Sequence, residues 1–318
     1  MPALYLTEDD VQWLLDLPTA IECVADAFRA LARGEAENQP RRRVTAPGSM
    51  LHMMSASAGY LGYLGCKTYT TTRDAATFHV MLYDAMTGAP AAMIEANHLG
   101  QIRTGAASGV ATRAMARPDA KFVGCFGTGF QAKSQLQAVC AVRRIEEIEV
   151  YSRNEEHRNR FAAEMTELCN VPVRGVANPD EVAAEQDIVI TATSSKTPLF
   201  DGRVLDEGTH LNVIGSNYLT RAEVDVTTIR RADHVVCDSR AACEVEAGDF
   251  VAALEASVLE WSRVRELSAV ITDEATGRAT ADDITLFKSV GLAIEDVACA
   301  VHVLNRARAE SIGRPLPF

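Results

Sequence analysis

One segment narrows the possible folds more than any other: Phe122-Val123-Gly124-Cys125-Phe126-Gly127-Thr128-Gly129-Phe130-Gln131-Ala132, an apolar run entering G-x-G-x-x-A ahead of a helical stretch from Lys133 to Val142. A strand that turns this sharply into a helix needs a residue without a Cβ, which Gly127 supplies. Gly129 lets another group approach the backbone, and Ala132 lets the helix pack closely on the strand. The unpaired N–H groups at the helix start attract an anion such as a pyrophosphate. Glycine turns join strands to helices in many sheets, so the motif must be read in context.

The context is a strand and helix alternation after Ala120, with apolar strands expected at 122–126, 147–151, 187–191, 211–214 and 234–237. That rhythm predicts a parallel sheet. The second strand ends at Ser152-Arg153-Asn154, about 24 residues past Gly127, where a residue that reads the ribose belongs. An acidic residue there would repel a 2′-phosphate, whereas Ser152 and Arg153 tolerate or bind one. The expected cofactor is NAD(P)H, with NADPH ahead of NADH, the alternative being that Arg153 is simply a solvated loop residue. The strand from Asp187 ends in Thr191-Ala192-Thr193-Ser194-Ser195, small residues able to lie along a dinucleotide. Thr128, Phe130 and Gln131 complete the expected cradle.

The first third of the chain reads differently. Residues 8–34 predict a helix pair closed by Gly34, and 52–95 predict short strands with a hairpin at Asp84-Ala85-Met86-Thr87-Gly88. Thr104 to Met115 predicts a closely packed helix, Arg117-Pro118 a boundary, and Ala293 to Ala309 a helix returning to the first domain. The expectation is an α/β chain: a Rossmann dinucleotide-binding domain at 119–292, and a discontinuous α+β substrate-binding and dimerisation domain from 1–118 with 293–318.

A chain of 318 residues, 47% hydrophobic, has room for two cores. Its net charge of −12 argues against nucleic acid or an anionic membrane as partner. No secretory leader and no long apolar run is present, so the cytoplasm is the expected location. The eight cysteines and seven histidines are scattered without metal-ligand spacing. No metal is expected, and Cys237 and Cys243 read as buried thiols rather than nucleophiles.

Basic residues stand out in this acidic chain: Arg41-Arg42-Arg43, Lys67 within Gly65-Cys66-Lys67-Thr68-Tyr69, and Arg103 at the start of the Ala-rich helix. Charges in apolar surroundings need partners, and a substrate carboxylate is a natural one. A solvated loop remains the competing reading for Arg41, Arg42 and Arg43.

Taken with Leu99-Gly100-Gln101-Ile102-Arg103-Thr104-Gly105 and Thr285-Leu286-Phe287-Lys288-Ser289-Val290-Gly291, these segments resemble the ornithine cyclodeaminase and mu-crystallin family over nearly the whole chain. The resemblance implies a homodimer and makes Lys67 the active-site lysine. It assigns Arg41 or Arg43, with Arg103, to the substrate carboxylate and puts Asp296 in the same cleft. The cofactor set extends to Thr104, Ser216 and Lys288.

One departure bears on the reaction. Where cyclodeaminases carry an Asp that handles the substrate amine, this chain has Asn217, which cannot take a proton at neutral pH. Reduction of a small imino acid to an L-amino acid is therefore expected ahead of an alanine-dehydrogenase-like oxidation or an ornithine cyclodeaminase activity. The proton for the imine nitrogen is assigned to Lys67, or to water held by Asn217 or Asp296. The non-enzymatic alternative is a mu-crystallin-like binder of small ligands.

Overall fold

The computed structural model describes residues 2–317 and divides into two compact units, Met1–Ala106 with Gly291–Phe318, and Ala107–Val290. The division falls inside one helix, Asn97–Met115, and not at the Arg117-Pro118 turn where the sequence reading places it. Among the described residues no helix is long and apolar enough to cross a membrane.

The first unit opens with β1 (Leu4–Leu6), α1 (Glu8–Leu14) and α2 (Leu17–Ala32). Thr7 and Asp10 form a reciprocal capping box on α1, and Asp16 caps α2 through the Thr19 amide at 2.8 Å. The helical spacing of Ile21, Val24, Ala25 and Phe28 gives α2 its buried stripe, and Gly34, at φ +68°, lies just past its end. The chain then meanders through β2 (Glu37–Ala46), β3 (Ser49–Ala58), β4 (Tyr63–Thr72), β5 (Ala76–Asp84) and β6 (Pro90–Glu95) before α3 (Asn97–Met115).

β2 corrects the expectation of a loop at Arg41 to Arg43. A register shift between Gln39 and Arg42 breaks its alternation, which hides the strand from a period-two reading.

The second unit is a parallel sheet of β7 (Phe122–Phe126), β8 (Glu147–Tyr151), β9 (Val173–Gly175), β10 (Ile188–Thr191), β11 (His210–Val213), β12 (His234–Cys237), β13 (Arg265–Glu266) and β14 (Thr285–Lys288), ordered β13-β12-β14-β11-β10-β7-β8-β9. Its helices are α4 (Phe130–Val142), α5 (Glu155–Cys169), α6 (Pro179–Ala183), α7 (Val226–Arg231), α8 (Arg240–Glu246), α9 (Gly248–Glu255) and α10 (Leu267–Ile271). Every residue of β10, β11 and β14 is buried, as central strands of a parallel sheet covered on both faces are, even though β11 and β14 carry His210, Asn212, Thr285 and Lys288.

The chain returns to the first unit with α11 (Ala293–Glu310) and β15 (Arg314–Pro315). The first unit's sheet runs β15-β1-β6-β5-β4-β3-β2, and α11 packs on β3, β4 and β5. Contact is so close that a Cβ on Gly65 would lie 2.6 Å from Val297 Cγ2. The opposite face of this sheet leaves Val44, Met53 and Leu64 exposed on neighbouring strands.

Candidate active site

In the first unit, strand alternation turns Lys67 toward the α11 face of β4, between Met54 on β3 and Val80 on β5. Its ammonium donates to Asp296 Oδ1 at 2.7 Å, and Arg103 Nε reaches the same oxygen at 3.1 Å. Arg103 Nη1 also donates to Glu295 Oε2 at 2.6 Å. Both carboxylates stand in the first turn of α11, where the helix dipole favours negative charge, and Asn38 Oδ1 accepts the Ile294 amide at 3.1 Å. Arg41, buried on β2, directs Nε to Met54 Sδ at 3.3 Å and Nη2 to the Gly291 carbonyl at 3.5 Å. Asp296 Oδ2 is buried without a hydrogen-bond partner among the described residues.

Glycine makes room for these cations. A Cβ on Gly100 would lie 2.9 Å from Lys67 Nζ, and one on Gly291, at φ +81°, 2.9 Å from Arg103 Nη1. Beside Lys67, Phe78, Tyr69 and His52 form a stack across β5, β4 and β3, with centroids 4.9 and 4.0 Å apart. Arg43 is the cross-strand neighbour of His52. Burial, with Arg43 and Arg41, lowers the His52 pKa to about 4, so this ring is neutral at pH 7.

Burial lowers the Lys67 pKa to about 8; Arg103 and Arg41 act in the same direction while Asp296 opposes them. For Arg103, burial works against the charge, yet Asp296 and Glu295 outweigh it and raise its pKa above the ordinary value. The cluster therefore holds a permanent cation beside one poised to exchange a proton.

The second unit carries a cavity of roughly 930 Å³ over the carboxyl ends of β7, β8, β10 and β11. Gly127, Thr128, Gly129, Phe130 and Gln131 line one side, Tyr151, Ser152 and Arg153 another, and Ala192, Thr193 and Gly215 a third. Gly127 sits at φ +108°, and a Cβ there would come within 2.4 Å of the Ala192 carbonyl. Over Gly129 a Cβ would meet nothing within 4 Å, so the backbone faces open space. No side chain among the described residues caps α4, which leaves its first N–H groups directed at that space. The cavity thus fits a dinucleotide with its pyrophosphate over Gly129. A shallower concavity beside it is lined by Thr128, Ser152, Arg153, Asn154 and His157.

Several expected cofactor contacts stand elsewhere. Ala132 is buried where α4 meets the sheet, Thr191 is buried with its hydroxyl on Glu223, and Lys288 is fully buried against Asp249. The Thr191 hydroxyl and the Lys288 ammonium are taken up by the carboxylates of Glu223 and Asp249. Ser216 is nearly buried and Asn217 partly exposed in the bend after β11. Thr104 belongs to the first unit, where its hydroxyl donates to the Gly100 carbonyl at 2.7 Å. The sequence reading missed Glu223, Asp249, Glu295 and the cavity-lining stretch Lys196 to Leu199.

The chain is similar to known proteins over most of its length. The pattern of the ornithine cyclodeaminase/mu-crystallin family matches residues 2–311. A Delta(1)-pyrroline-2-carboxylate reductase of Bacillus cereus is 39% identical over 240 residues, which cover 75% of this chain and 74% of the relative. An alanine dehydrogenase of Archaeoglobus fulgidus is 32% identical over 327 residues, covering 100% of this chain and 99% of the relative. Among solved structures, Thermococcus litoralis Delta(1)-pyrroline-2-carboxylate reductase in complex with NADH and L-proline superposes with a TM-score of 0.93 at 32% identity, covering 98% of this chain and 100% of the other.

Proposed function

Because the chain belongs to the ornithine cyclodeaminase/mu-crystallin family, we propose that it is an NAD(P)H-dependent reductase that converts a small imino acid to the L-amino acid. The observation that carries this reading is the buried cluster of Lys67, Arg103 and Asp296, in which Asp296 Oδ2 has no partner among the described residues. Relatives named for reduction of pyrroline-2-carboxylate support it.

In this reading Arg41, Arg43, Lys67 and Arg103 hold the substrate carboxylate, the planar guanidinium forks fixing its orientation. Asp296 Oδ1 anchors Lys67 and Arg103 and keeps them from repelling one another. Oδ2 accepts the N–H of the protonated imine and then of the product amine. Lys67 donates the proton, since a lysine with its pKa drawn down to about 8 is still charged near neutrality yet releases its proton far more readily than a free one. When bound, the reduced nicotinamide supplies hydride to the imine carbon. The cavity walls at Gly127 to Gln131 and at Ser152 and Arg153 hold the rest of the cofactor, with Arg153 favouring NADPH over NADH.

The chain works in this proposal as a cytoplasmic homodimer. The exposed apolar residues Val44, Met53 and Leu64 on the open face of the first sheet support the dimer. The eight cysteines, all free, suit a reducing compartment.

The test is a screen of Delta(1)-pyrroline-2-carboxylate, its six-membered homologue and pyruvate with ammonia, followed by loss of NADPH or NADH absorbance. Consumption with a cyclic imine supports the reductase. Consumption with pyruvate and ammonia alone favours an alanine-dehydrogenase activity, a reading that the full-length similarity to that relative also supports. No consumption with any of them overturns the proposal in favour of a binder.

A further inference from the structure

Behind the cavity of the second unit lies a group of buried charges that contacts no solvent. Glu223 is 0% exposed and accepts four hydrogen bonds. Its Oε1 takes the Thr193 amide and the Thr193 hydroxyl, each at 2.7 Å. Its Oε2 takes the Gly215 amide at 2.7 Å and the Thr191 hydroxyl at 2.9 Å. Asp249 accepts the Glu223 and Val224 amides at 2.6 and 3.3 Å, and pairs with Lys288 at 2.7 Å. Lys288 donates in turn to the Ser216 carbonyl at 2.8 Å. Gly215 approaches so closely that a Cβ there would lie 2.3 Å from a Glu223 oxygen.

The places these bonds fix matter more than their number. Thr193 and Gly215 line the cavity at the ends of β10 and β11. In a sheet of this topology the pyrophosphate lies at the first glycine turn and the adenosine ribose at the end of the second strand, here Ser152 and Arg153. The other half of the dinucleotide then extends over β10 and β11, where Glu223 holds the backbone.

We infer that Glu223 is a positioning residue for the nicotinamide half of the cofactor: one carboxylate pins the two backbone segments that form that end of the cavity, and Asp249 and Lys288 hold it in place. The inference rests on the cofactor reading above. A carboxylate suits the place because backbone N–H groups face both of its oxygens. A glutamine of the same shape would turn its own NH₂ against one of those N–H groups and lose that bond, leaving a buried donor unsatisfied.

The test compares the reduced dinucleotide with ADP-ribose, which carries the adenosine and pyrophosphate and lacks the nicotinamide, by isothermal titration calorimetry on the full chain. In Glu223→Gln the Kd for NADH or NADPH, whichever the native protein binds more tightly, rises about tenfold, the scale of one hydrogen bond to a charged group. The Kd for ADP-ribose, or its 2′-phosphate where NADPH is preferred, stays within about twofold of the native value. Thr191→Val, which deletes one donor and keeps the charge, shifts the dinucleotide alone in the same direction by a few fold, and carries the test if Glu223→Gln does not fold. Equal loss of both ligands would make Glu223 a general structural residue and overturn the inference, as would no change in either. A native protein that binds neither ligand would instead overturn the cofactor reading.

Discussion

Lys67 Nζ and Asp296 Oδ1 stand 2.7 Å apart in an ion pair that ties β4 to the first turn of α11, with 4% of the lysine side chain and none of the aspartate's open to water. Breaking such a pair from one side leaves a buried charge uncompensated, and this makes the pair the most informative place to perturb.

The protonation of Lys67 sets the alkaline limb of activity. Its pKa is lowered from 10.5 to about 8, so the charged form that grips a carboxylate and donates a proton prevails below that pH and is lost above it. We expect kcat/KM for imine reduction to fall about tenfold per pH unit above about 8. In Lys67→Arg any residual activity should lose that limb, and a limb unmoved by the substitution would assign it to another group. Stability runs the opposite way: between pH 8 and 10.5 the unfolded lysine binds a proton that the folded one does not, so this residue's contribution improves as pH rises through that window.

Asp296→Asn removes the charge that raises the Lys67 pKa and strands Lys67 beside Arg103. Thermal and denaturant unfolding should show a loss of about 3 kcal/mol, with activity at pH 7 greatly reduced. Any remaining pH limb should move below 8. Native stability and an unshifted limb would contradict the pairing.

Gly100→Ala puts a methyl group 2.9 Å from Lys67 Nζ. Because the clashing atom is the end of a long side chain, the lysine moves and the fold does not. Stability should change by less than about 1 kcal/mol while kcat/KM drops by an order of magnitude or more. Cofactor affinity, measured by fluorescence, should stay as in the native protein, and a parallel loss of affinity would count against the assignment.

Arg153→Glu tests the preference for NADPH. The side chain is exposed at the rim of the cavity, so substitution leaves folding intact. The ratio of kcat/KM for NADPH over NADH should fall at least about tenfold, because a carboxylate there repels a 2′-phosphate and accepts from a free ribose hydroxyl. An unchanged ratio would leave Arg153 as a solvated loop residue.

What the sequence reveals here depends on whether the signal is local. The turn at Gly127 and the strands β7, β8 and β10 were readable because each carries its own apolar run and glycine placement. Lys67 and Arg103 were suspicious because a charge among apolar neighbours needs a partner. By contrast β2 was hidden by three successive arginines and a register shift, so Arg41 looked solvated although it is buried. Lys288 looked like a ligand for the cofactor because its partner, Asp249, comes from a distant segment. Glu223 and Glu295 are ordinary acidic residues in sequence, and only tertiary packing closes water away from them.

The first unit is built from both ends of the chain, and Lys67 waits for a carboxylate 229 residues downstream. The whole second unit is therefore synthesised before the carboxylate that pairs with Lys67. A chain ending before Glu295 would keep every strand of the parallel sheet and lose both carboxylates that hold Lys67 and Arg103.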